Sequence, residues 1–232
     1  MKLDQVLLID KPAGITSFGV VARVRRVMTE AARAQGWSGK RFRVGHTGTL
    51  DPFATGLMII LTGKETKNAG DYSKLDKVYE AEIRLGAVST TGDPEGEITE
   101  MSGFRVKPGM TAATAPPLET VQQTLSSFVG EIRQTPPIYS AIKVDGQRAY
   151  KLARQGKVVK MPQRKVTIYG IELISYSYPT LKIRAHVSSG TYIRTLAEDI
   201  GQKLGLGAYT TALRRTKVGD FDLKNAQTLS SF

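Results

Sequence analysis

The residue whose surroundings most favour chemistry is an aspartate in a loop shaped by glycine and proline. Asp51 stands within Gly45-His46-Thr47-Gly48-Thr49-Leu50-Asp51-Pro52, and a further glycine follows at position 56. Glycine lets the backbone turn tightly or approach a ligand closely, and proline biases the residue before it away from helical conformation. A carboxylate held in this way can act as a nucleophile or a general base. An Asx turn or a helix cap is the more frequent role of an aspartate before proline, and both readings stay open on these residues alone.

Positive charge is the property of the whole sequence that most narrows its function. The 232 residues include 33 Lys and Arg against 21 Asp and Glu, a formal net charge of +12 at pH 7. The excess is concentrated in segments 23–43, 143–165 and 214–217. Such segments are typical of surfaces that bind nucleic-acid phosphates, although any one of them alone could be a solvated face. We therefore predict a nucleic-acid partner.

Several classes of protein are disfavoured by composition. The sequence has no cysteine and two histidines, so disulfides and thiolate metal sites are excluded and a His-rich zinc site is not expected. No apolar run approaches the ~18 residues that a transmembrane helix requires, and no long apolar segment precedes Asp10. We expect no metal, no membrane association and a cytoplasmic location.

Hydrophobic periodicity predicts the elements that position the Asp51 loop. Strands are predicted at 6–9, 78–85, 166–174 and 181–187, and helices from a cap at Thr16 or Ser17, at 118–128 and at 191–204. Residues 45–52 are predicted to form a loop, with a buried strand or helix starting at Gly56. The predicted strands and helices are intermixed along the chain and do not alternate as regular βαβ units. This pattern predicts an α+β fold with a mixed, mainly antiparallel sheet.

Five segments resemble, in order, the motifs of the TruB-type tRNA pseudouridine-55 synthases. They are residues 10–17, 45–57, 77–80, 134–143 and 190–196, and with Leu213-Arg214-Arg215 they span the chain from about residue 6 to about 220. The resemblance implies a pseudouridine-synthase-like fold, in which helices and loops flank the sheet. It also implies a single catalytic domain over 1–232, with a basic RNA-contacting insertion at about 143–165 and without a complete C-terminal PUA-type domain.

The resemblance implies that Asp51 is the nucleophile in an isomerisation. The N-glycosidic bond of a uridine breaks, the uracil rotates, and its C5 joins the ribose C1′. The covalent intermediate could form at C1′ or at C6 of the base, and both remain open. Arg194 matches the arginine that pairs with this aspartate; an opposite charge within ~4–6 Å keeps a carboxylate ionised. Taken alone, Arg194 would suit a phosphate contact. No cofactor is implied, because nothing is oxidised and no group is transferred.

Further positions are implied to hold the substrate. Tyr79 matches a tyrosine that stacks on the target base and belongs to the catalytic set, although its strand face would also suit a core residue. The other substrate-binding positions are His46, Tyr192, Leu213 and Lys143. For Lys143 a phosphate contact is an equal alternative. The expected contacts to the RNA backbone are Arg148, Lys151, Arg154, Arg214 and Arg215. The target base must leave its stack, because its reacting atoms are inaccessible inside a folded RNA loop.

These observations lead to one leading hypothesis and two alternatives. The leading hypothesis is a monomer that isomerises uridine 55 in the TΨC loop of tRNA through Asp51 and base flipping. The first alternative is a non-catalytic RNA-binding or tRNA-folding module, which the same basic segments would support. The second is an RNA hydrolase that uses Asp51 as a base, which the lack of a recognisable metal-binding cluster disfavours.

Overall fold

The computed structural model describes residues 2–101, 115–140, 142–144, 146–156 and 160–232. The strands are β1 (Gln5–Lys11), β2 (Val44–His46), β3 (Thr55–Thr62), β4 (Lys77–Leu85), β5 (Ala87–Ser89), β6 (Ile98–Glu100), β7 (Gly130–Gln134), β8 (Lys143–Val144), β9 (Gln147–Arg148), β10 (Arg164–Ser177), β11 (Thr180–Val187), β12 (Ala208–Val218), β13 (Phe221–Asp222) and β14 (Gln227–Thr228). The α-helices are α1 (Ser17–Ala34), α2 (Ala69–Lys74), α3 (Leu118–Ser126), α4 (Ala149–Arg154) and α5 (Ile193–Lys203).

The described residues fall into two compact units. Unit 1 combines the chain up to Tyr79 with Leu213–Phe232, and unit 2 comprises Glu80–Ala212. Strands β4 and β12 contribute residues to both. The single catalytic domain expected from the sequence stays a prediction.

In unit 1 the central strand is β3, which has β1 on one side and β12 on the other. Strand β1 pairs antiparallel with β3 from Gln5↔Thr62 to Lys11↔Gly56, whereas β12 pairs parallel with β3. The run 55–62 is almost wholly buried, as expected of a strand covered on both faces. The Asp51 loop leads directly into this strand, so the carboxyl-terminal end of the loop is anchored in the core.

Helix α1 begins where its sequence predicts. The Thr16 hydroxyl accepts a hydrogen bond from the Gly19 amide at 3.0 Å, the usual geometry of a helix N-cap. The apolar face is buried at Val20, Val21, Val24 and Met28. The core of unit 1 therefore fixes the helix and the turn that precedes it.

The predicted loop over 45–52 is wrong at its start. Residues Val44–His46 form strand β2, which pairs antiparallel with β3 through Gly45↔Leu61 and His46↔Ile60. Two glycines within four residues suggested irregular backbone, but β3 supplies a partner strand for the segment. Only the residues after His46 form the loop.

Unit 2 contains the strand order β12-β4-β11-β10-β7 and the hairpins β5–β6 and β8–β9. Strand β10 pairs antiparallel with both β11 and β7. Helix α5 buries Ile193, Leu196 and Ile200, as its periodicity predicts. Antiparallel pairs in both units, together with the parallel pairs β1–β14 and β3–β12, confirm the predicted mixed α+β fold. The connection predicted at 101–117 lies mostly outside the described residues.

Gly56 cannot carry a side chain where β3 meets β12. Its φ is +105°, and a Cβ would lie 2.3 Å from the carbonyl oxygen of Arg215. We expect Gly56→Ala to lower the free energy of unfolding by at least about 3 kcal/mol, because backbone strain and a clash with backbone coincide. At Gly45 a Cβ would meet nothing within 4 Å, and Gly45→Ala should change stability by less than about 1 kcal/mol. Urea denaturation of both variants measures the difference; equal stabilities would contradict this account of β3.

Candidate active site

The residue before Asp51 is fixed by a buried serine. The Ser17 hydroxyl donates to the Leu50 carbonyl and accepts from the Leu50 amide, both at 2.8 Å. Both backbone groups of Leu50 are thereby satisfied away from water. The first turn of α1 thus sets the position of the chain as it reaches Asp51.

On the other side of Asp51 the chain is fixed by a fully buried lysine. The Lys11 ammonium donates to the carbonyls of Pro12, Ile15 and Pro52 at 2.9, 2.8 and 3.1 Å. The Gly14 amide also donates to the Pro52 carbonyl at 2.8 Å. A buried ammonium must be hydrogen-bonded to offset its lost hydration, and these carbonyls do so. The segment 10–17, in which the sequence alone predicted only a helix cap, positions the Asp51 loop from both sides.

Arg215 corrects one sequence prediction. Its side chain is 2% exposed, and its Nε donates to the Leu57 carbonyl at 2.7 Å and its Nη2 to the Gly48 carbonyl at 3.2 Å. Nη1 makes longer contacts of 3.5 Å to the Thr49 carbonyl and the Tyr79 hydroxyl. A guanidinium buried among protein oxygens does not reach an RNA backbone, so the expected RNA contact is wrong. Arg215 holds the Asp51 loop instead.

Arg214, the preceding residue, faces the other way. Its guanidinium donates to Asp10 Oδ2 at 2.7 Å and to Thr55 Oγ1 at 3.1 Å, and its side chain is partly exposed. Successive residues of a strand point to opposite faces, which explains why one arginine of β12 is buried and its neighbour is not. The RNA contact expected of Arg214 stays a prediction.

Tyr79, on β4, lies near two buried cations, Arg215 and Lys77. Tyr79 and Lys77 are both buried on the same face of the strand, and the Arg215 guanidinium lies 6.0 Å from the Tyr79 ring centre. The Lys77 ammonium donates to the carbonyls of Ser73 and Leu75. Burial, together with the charge of Arg215, lowers the pKa of Lys77 to about 8, although Asp76 opposes the shift. Unit 1 thus gathers positive charge around the tyrosine expected to meet the base.

Two other predicted substrate contacts also belong to unit 1. His46 is half-buried at the end of β2, opposite Ile60 of β3. Leu213 is buried on β12. Their expected contacts with the uridine stay predictions.

In unit 2, Arg194 is buried in the first turn of α5. Its Nη1 donates to the Thr91 carbonyl at 2.7 Å and to Asp93 Oδ2 at 3.0 Å, and its Nη2 donates to the Tyr139 carbonyl at 3.1 Å. The Arg194 and Asp93 side chains are each 4% exposed. Because the guanidinium already donates to these protein oxygens, its geometry argues against the phosphate contact that the residue alone suggested.

Asp93 is a functional candidate that sequence reasoning missed. Its Oδ1 accepts from the Thr91 hydroxyl at 2.6 Å and from the Glu95 amide at 3.0 Å, while its Oδ2 binds Arg194. The sequence shows an aspartate in a turn rich in glycine and proline, which is the usual setting of a purely local turn residue. Nothing in that pattern points to an arginine 101 positions away.

Tyr192 is positioned by a buried glutamine from another motif. The Gln134 side chain accepts from the Tyr192 amide at 3.0 Å and donates to its carbonyl at 3.2 Å. Tyr192 also packs against a small cluster of Ile142, Ala149 and Met161. The motifs at 134–143 and 190–196 therefore meet in unit 2, and the substrate contact expected of Tyr192 stays a prediction.

The basic side chains of segment 143–165 are exposed where they are described. Lys143, Arg148 and Lys151 lie on β8, β9 and α4, and their side chains reach solvent. Arg154 ends α4, but its side chain and all of Lys157 lie outside the described residues. Exposure suits a phosphate contact for Lys143 as well as the pocket position implied for it. None of these assignments is tested by the geometry.

Among the described residues, no group of three or more His, Asp or Glu is arranged to hold a metal ion. Within the same residues, none of the helices has the length and apolarity that crossing a membrane demands.

Comparison with known proteins assigns the family. Residues 36–193 match the TruB family pseudouridylate synthase (N terminal domain), and residues 194–232 match the tRNA pseudouridylate synthase B C-terminal domain. The chain belongs to the TruB family. The tRNA pseudouridine synthase B of Dehalococcoides mccartyi is 46% identical over 224 residues, covering 97% of this chain and 68% of that protein. The protein of the same name from Cupriavidus taiwanensis is 44% identical over 228 residues, covering 97% and 66%.

Solved structures agree with this TruB assignment. A chain of a Cbf5-Nop10-Gar1 complex superposes with a TM-score of 0.67 at 27% identity, covering 97% of this chain and 52% of that one. A chain of an archaeal box H/ACA sRNP Nop10-Cbf5 complex gives 0.62 at 25% identity, covering 97% and 51%. The TruB chain thus spans about half the length of these structural relatives. The predicted pseudouridine-synthase-like fold is confirmed.

The opposite orientations of Arg214 and Arg215 lead to opposite expectations in this TruB-family chain. Arg215→Met should lower the free energy of unfolding by about 2–4 kcal/mol, because buried carbonyls of the loop lose their donor. It should leave the salt dependence of RNA binding unchanged. Arg214→Met should reduce the slope of log K against log[salt] by about 1 if Arg214 contacts a phosphate.

Urea denaturation and RNA binding at several salt concentrations measure both effects. Arg215→Lys serves as the conservative variant, since it keeps the charge but not the forked donors and should also be destabilised. An Arg215→Met protein of normal stability with a reduced salt slope would restore the original RNA-contact assignment.

The lowered pKa of Lys77 gives stability a characteristic pH dependence. Between about pH 8 and the ~10.4 of an unfolded lysine, the unfolded chain binds this proton and the folded chain does not. The Lys77 contribution to the free energy of unfolding therefore increases with pH across this window, by up to about 3 kcal/mol.

Lys77→Met should remove that increase. Urea denaturation at pH 7.5 and pH 10 measures it as the change in the wild-type-minus-variant difference. Lys74→Met, at an exposed lysine, is the control and should leave the pH dependence unaltered. Parallel pH profiles for wild type and Lys77→Met would contradict the shift.

Proposed function

We propose that this TruB-family chain converts uridine 55 in the TΨC loop of tRNA to pseudouridine, with Asp51 as nucleophile. The observation that carries the proposal is the way Asp51 is held. Buried groups of Ser17, Lys11 and Arg215 bind backbone carbonyls on both sides of it. A nucleophile fixed before the substrate arrives loses little freedom in reaching the transition state. A simple Asx turn would need no such support.

The reaction balances without any added group. The C1′–N1 bond of the uridine breaks and a C1′–C5 bond forms, while N1 gains a proton and C5 loses one. Asp51 forms a transient bond to C1′ or to C6, and both routes regenerate the carboxylate. Because nothing is oxidised and no group is transferred to another molecule, the proposal invokes no cofactor and no metal.

We assign Arg194 as the electrostatic partner of the ionised Asp51. Its guanidinium is buried and already oriented by Asp93 and by the carbonyls of Thr91 and Tyr139. An ion pair is effective when one member is fixed in advance, because less side-chain entropy is lost when the pair forms. Asp93 thereby becomes a positioning residue that acts through Arg194.

We assign Tyr79 as the residue that stacks on the extruded uracil. Base stacking on an aromatic ring contributes ~1–3 kcal/mol and offsets part of the cost of unstacking the nucleotide. The Arg215 guanidinium beside the ring and the strand register of β4 fix the direction of the phenol. Tyr192, Leu213, His46 and Lys143 complete the proposed substrate contacts.

The RNA partner is supported by charge and by relatives. Curated relatives at 43–46% identity are named tRNA pseudouridine synthase B, and the net charge of +12 suits a polyanion. Within the insertion, Arg148, Lys151 and Arg154 are proposed to follow the RNA backbone. A monomer acting on tRNA in the cytoplasm is the simplest setting for this activity.

The direct test is Asp51→Asn. We expect pseudouridine formation to fall at least about 10³-fold, because the nucleophile is lost, while tRNA affinity changes by less than about threefold. Carbodiimide labelling with primer extension maps pseudouridine in a tRNA transcript, and filter binding gives the affinity. Asp71→Asn, at an exposed aspartate of the same unit, is the matched control and should retain full activity.

Turnover by Asp51→Asn would refute the nucleophile. Wild-type protein that binds tRNA tightly but forms no pseudouridine would favour the RNA-binding or tRNA-folding alternative. Pseudouridine at a position other than 55 would keep the reaction and overturn the site.

A further inference from the structure

Helix α1 presents a positively charged face that the proposed chemistry does not use. At 3.6 residues per turn, Phe18, Arg25, Arg26 and Arg33 fall within about 100° around the helix axis. Phe18 is 66% exposed, Arg26 and Arg33 are exposed, and Arg25 is half-buried. The apolar face of the same helix is already covered by the core of unit 1. The exposed face is therefore available for a partner.

Arg25 and Phe18 form a fixed pair at the start of this face. The Arg25 guanidinium lies 5.8 Å from the Phe18 ring centre, and its Nη2 donates to the Val44 carbonyl at 2.8 Å. The arginine is thus anchored to β2 while it contacts the ring. An exposed aromatic ring among arginines is the combination with which proteins stack bases and neutralise phosphates.

The positive face continues beyond the helix. The Phe42 amide donates to the Thr29 hydroxyl at 3.2 Å, and the Phe42 ring packs edge-on against Trp37 at 5.5 Å. With Phe42 turned inward, its neighbours Arg41 and Arg43 are exposed. Between residues 17 and 43 the sole acidic residue is Glu30. The loop thereby extends the charge of α1 without neutralising it.

The face begins next to the candidate nucleophile. Ser17, which precedes Phe18, bonds both backbone groups of Leu50, the neighbour of Asp51. From Phe18 to Arg33 the helix rises about 22 Å, which corresponds to roughly six nucleotides of a strand. An RNA whose reacting uridine lies at Asp51 would have its flanking backbone within reach of this face.

We propose that Phe18, Arg25, Arg26, Arg33, Arg41 and Arg43, here called the α1 face, bind the RNA strand that flanks the reacting uridine. Phe18 packs on a nucleotide close to the target, and the arginines contact successive phosphates farther along. Arg23 is not included, because at 3.6 residues per turn it lies about 60° outside the arc that the helical members share. The inference rests on the proposed function, since it takes the RNA to be positioned by the uridine at Asp51. An anionic membrane is disfavoured because an interfacial helix needs a free apolar face.

The test compares variants in binding an unmodified tRNA transcript between 50 and 300 mM salt. Arg26→Ala/Arg33→Ala should reduce the slope of log K against log[salt] by about 1.5 and weaken binding about tenfold at 100 mM. Phe18→Ala should weaken binding at least about fivefold without altering the slope, because an uncharged contact is lost. Circular dichroism and urea denaturation verify that the variants are folded.

The matched control is Lys64→Ala/Lys74→Ala, which removes two exposed charges of unit 1 that lie outside the α1 face. It should leave the slope within about 0.3 of wild type. If the control lost as much of the slope as the arginine variant, affinity would follow total charge, and the α1 face would be overturned. If the α1-face variants bound anionic vesicles less tightly than wild type but bound tRNA normally, the proposal would be overturned in favour of a membrane.

Activity separates this inference from the proposed function. The arginine variant should lose pseudouridine formation through a higher KM. If wild type forms pseudouridine and the variants bind tRNA normally, the α1 face fails and the function stands. If wild type forms none while the arginine slope still falls, the function fails and the RNA surface stands.

Discussion

The arrangement around Asp51 depends on buried cations that bind backbone carbonyls. An ammonium or guanidinium taken out of water needs acceptors, and a loop without regular pairing has carbonyls that need donors. Lys11 and Arg215 satisfy both requirements at once, on the carbonyls of Pro52, Gly48 and Leu57. The result is a loop held by hydrogen bonds from buried side chains on both sides of Asp51. The same cations place positive charge close to Asp51, the proposed nucleophile.

Unit 2 applies the same principle to Arg194. Its guanidinium is buried, and it is made tolerable by one carboxylate and two carbonyls from separate segments. Removing a partner from such a cluster leaves a charge without compensation, which costs more than the cluster itself contributes. In return, the Arg194 guanidinium is held in one specific orientation. That reasoning makes Asp93 as much a part of the proposed chemistry as the arginine it holds.

Hydrophobic periodicity in the sequence was sufficient to predict a helix or strand where one face of that element is buried. The alternation of β4, the apolar stripe of α1 and its Thr16 cap each follow from local rules, and together they give the α+β class. It was insufficient where long-range pairing decides. Gly45 joins β2 because β3 lies beside it, and Arg215 is buried because the register of β12, a strand no local pattern announced, turns it inward. Asp93 has the local signature of a turn, and its partner is remote in sequence.

The family motifs divide into residues proposed to touch the uridine and residues that hold them. Segment 10–17 supplies Lys11 and Ser17, which act on the backbone around Asp51, and Gln134 acts on the backbone of Tyr192. A resemblance of motifs marks both kinds equally, because substitution of either would disturb the same site. Only hydrogen-bond partners and burial separate them. The separation also explains why Lys11 and Arg215 bind backbone carbonyls: hydrogen bonds from charged donors hold the backbone around Asp51 more firmly than neutral ones would.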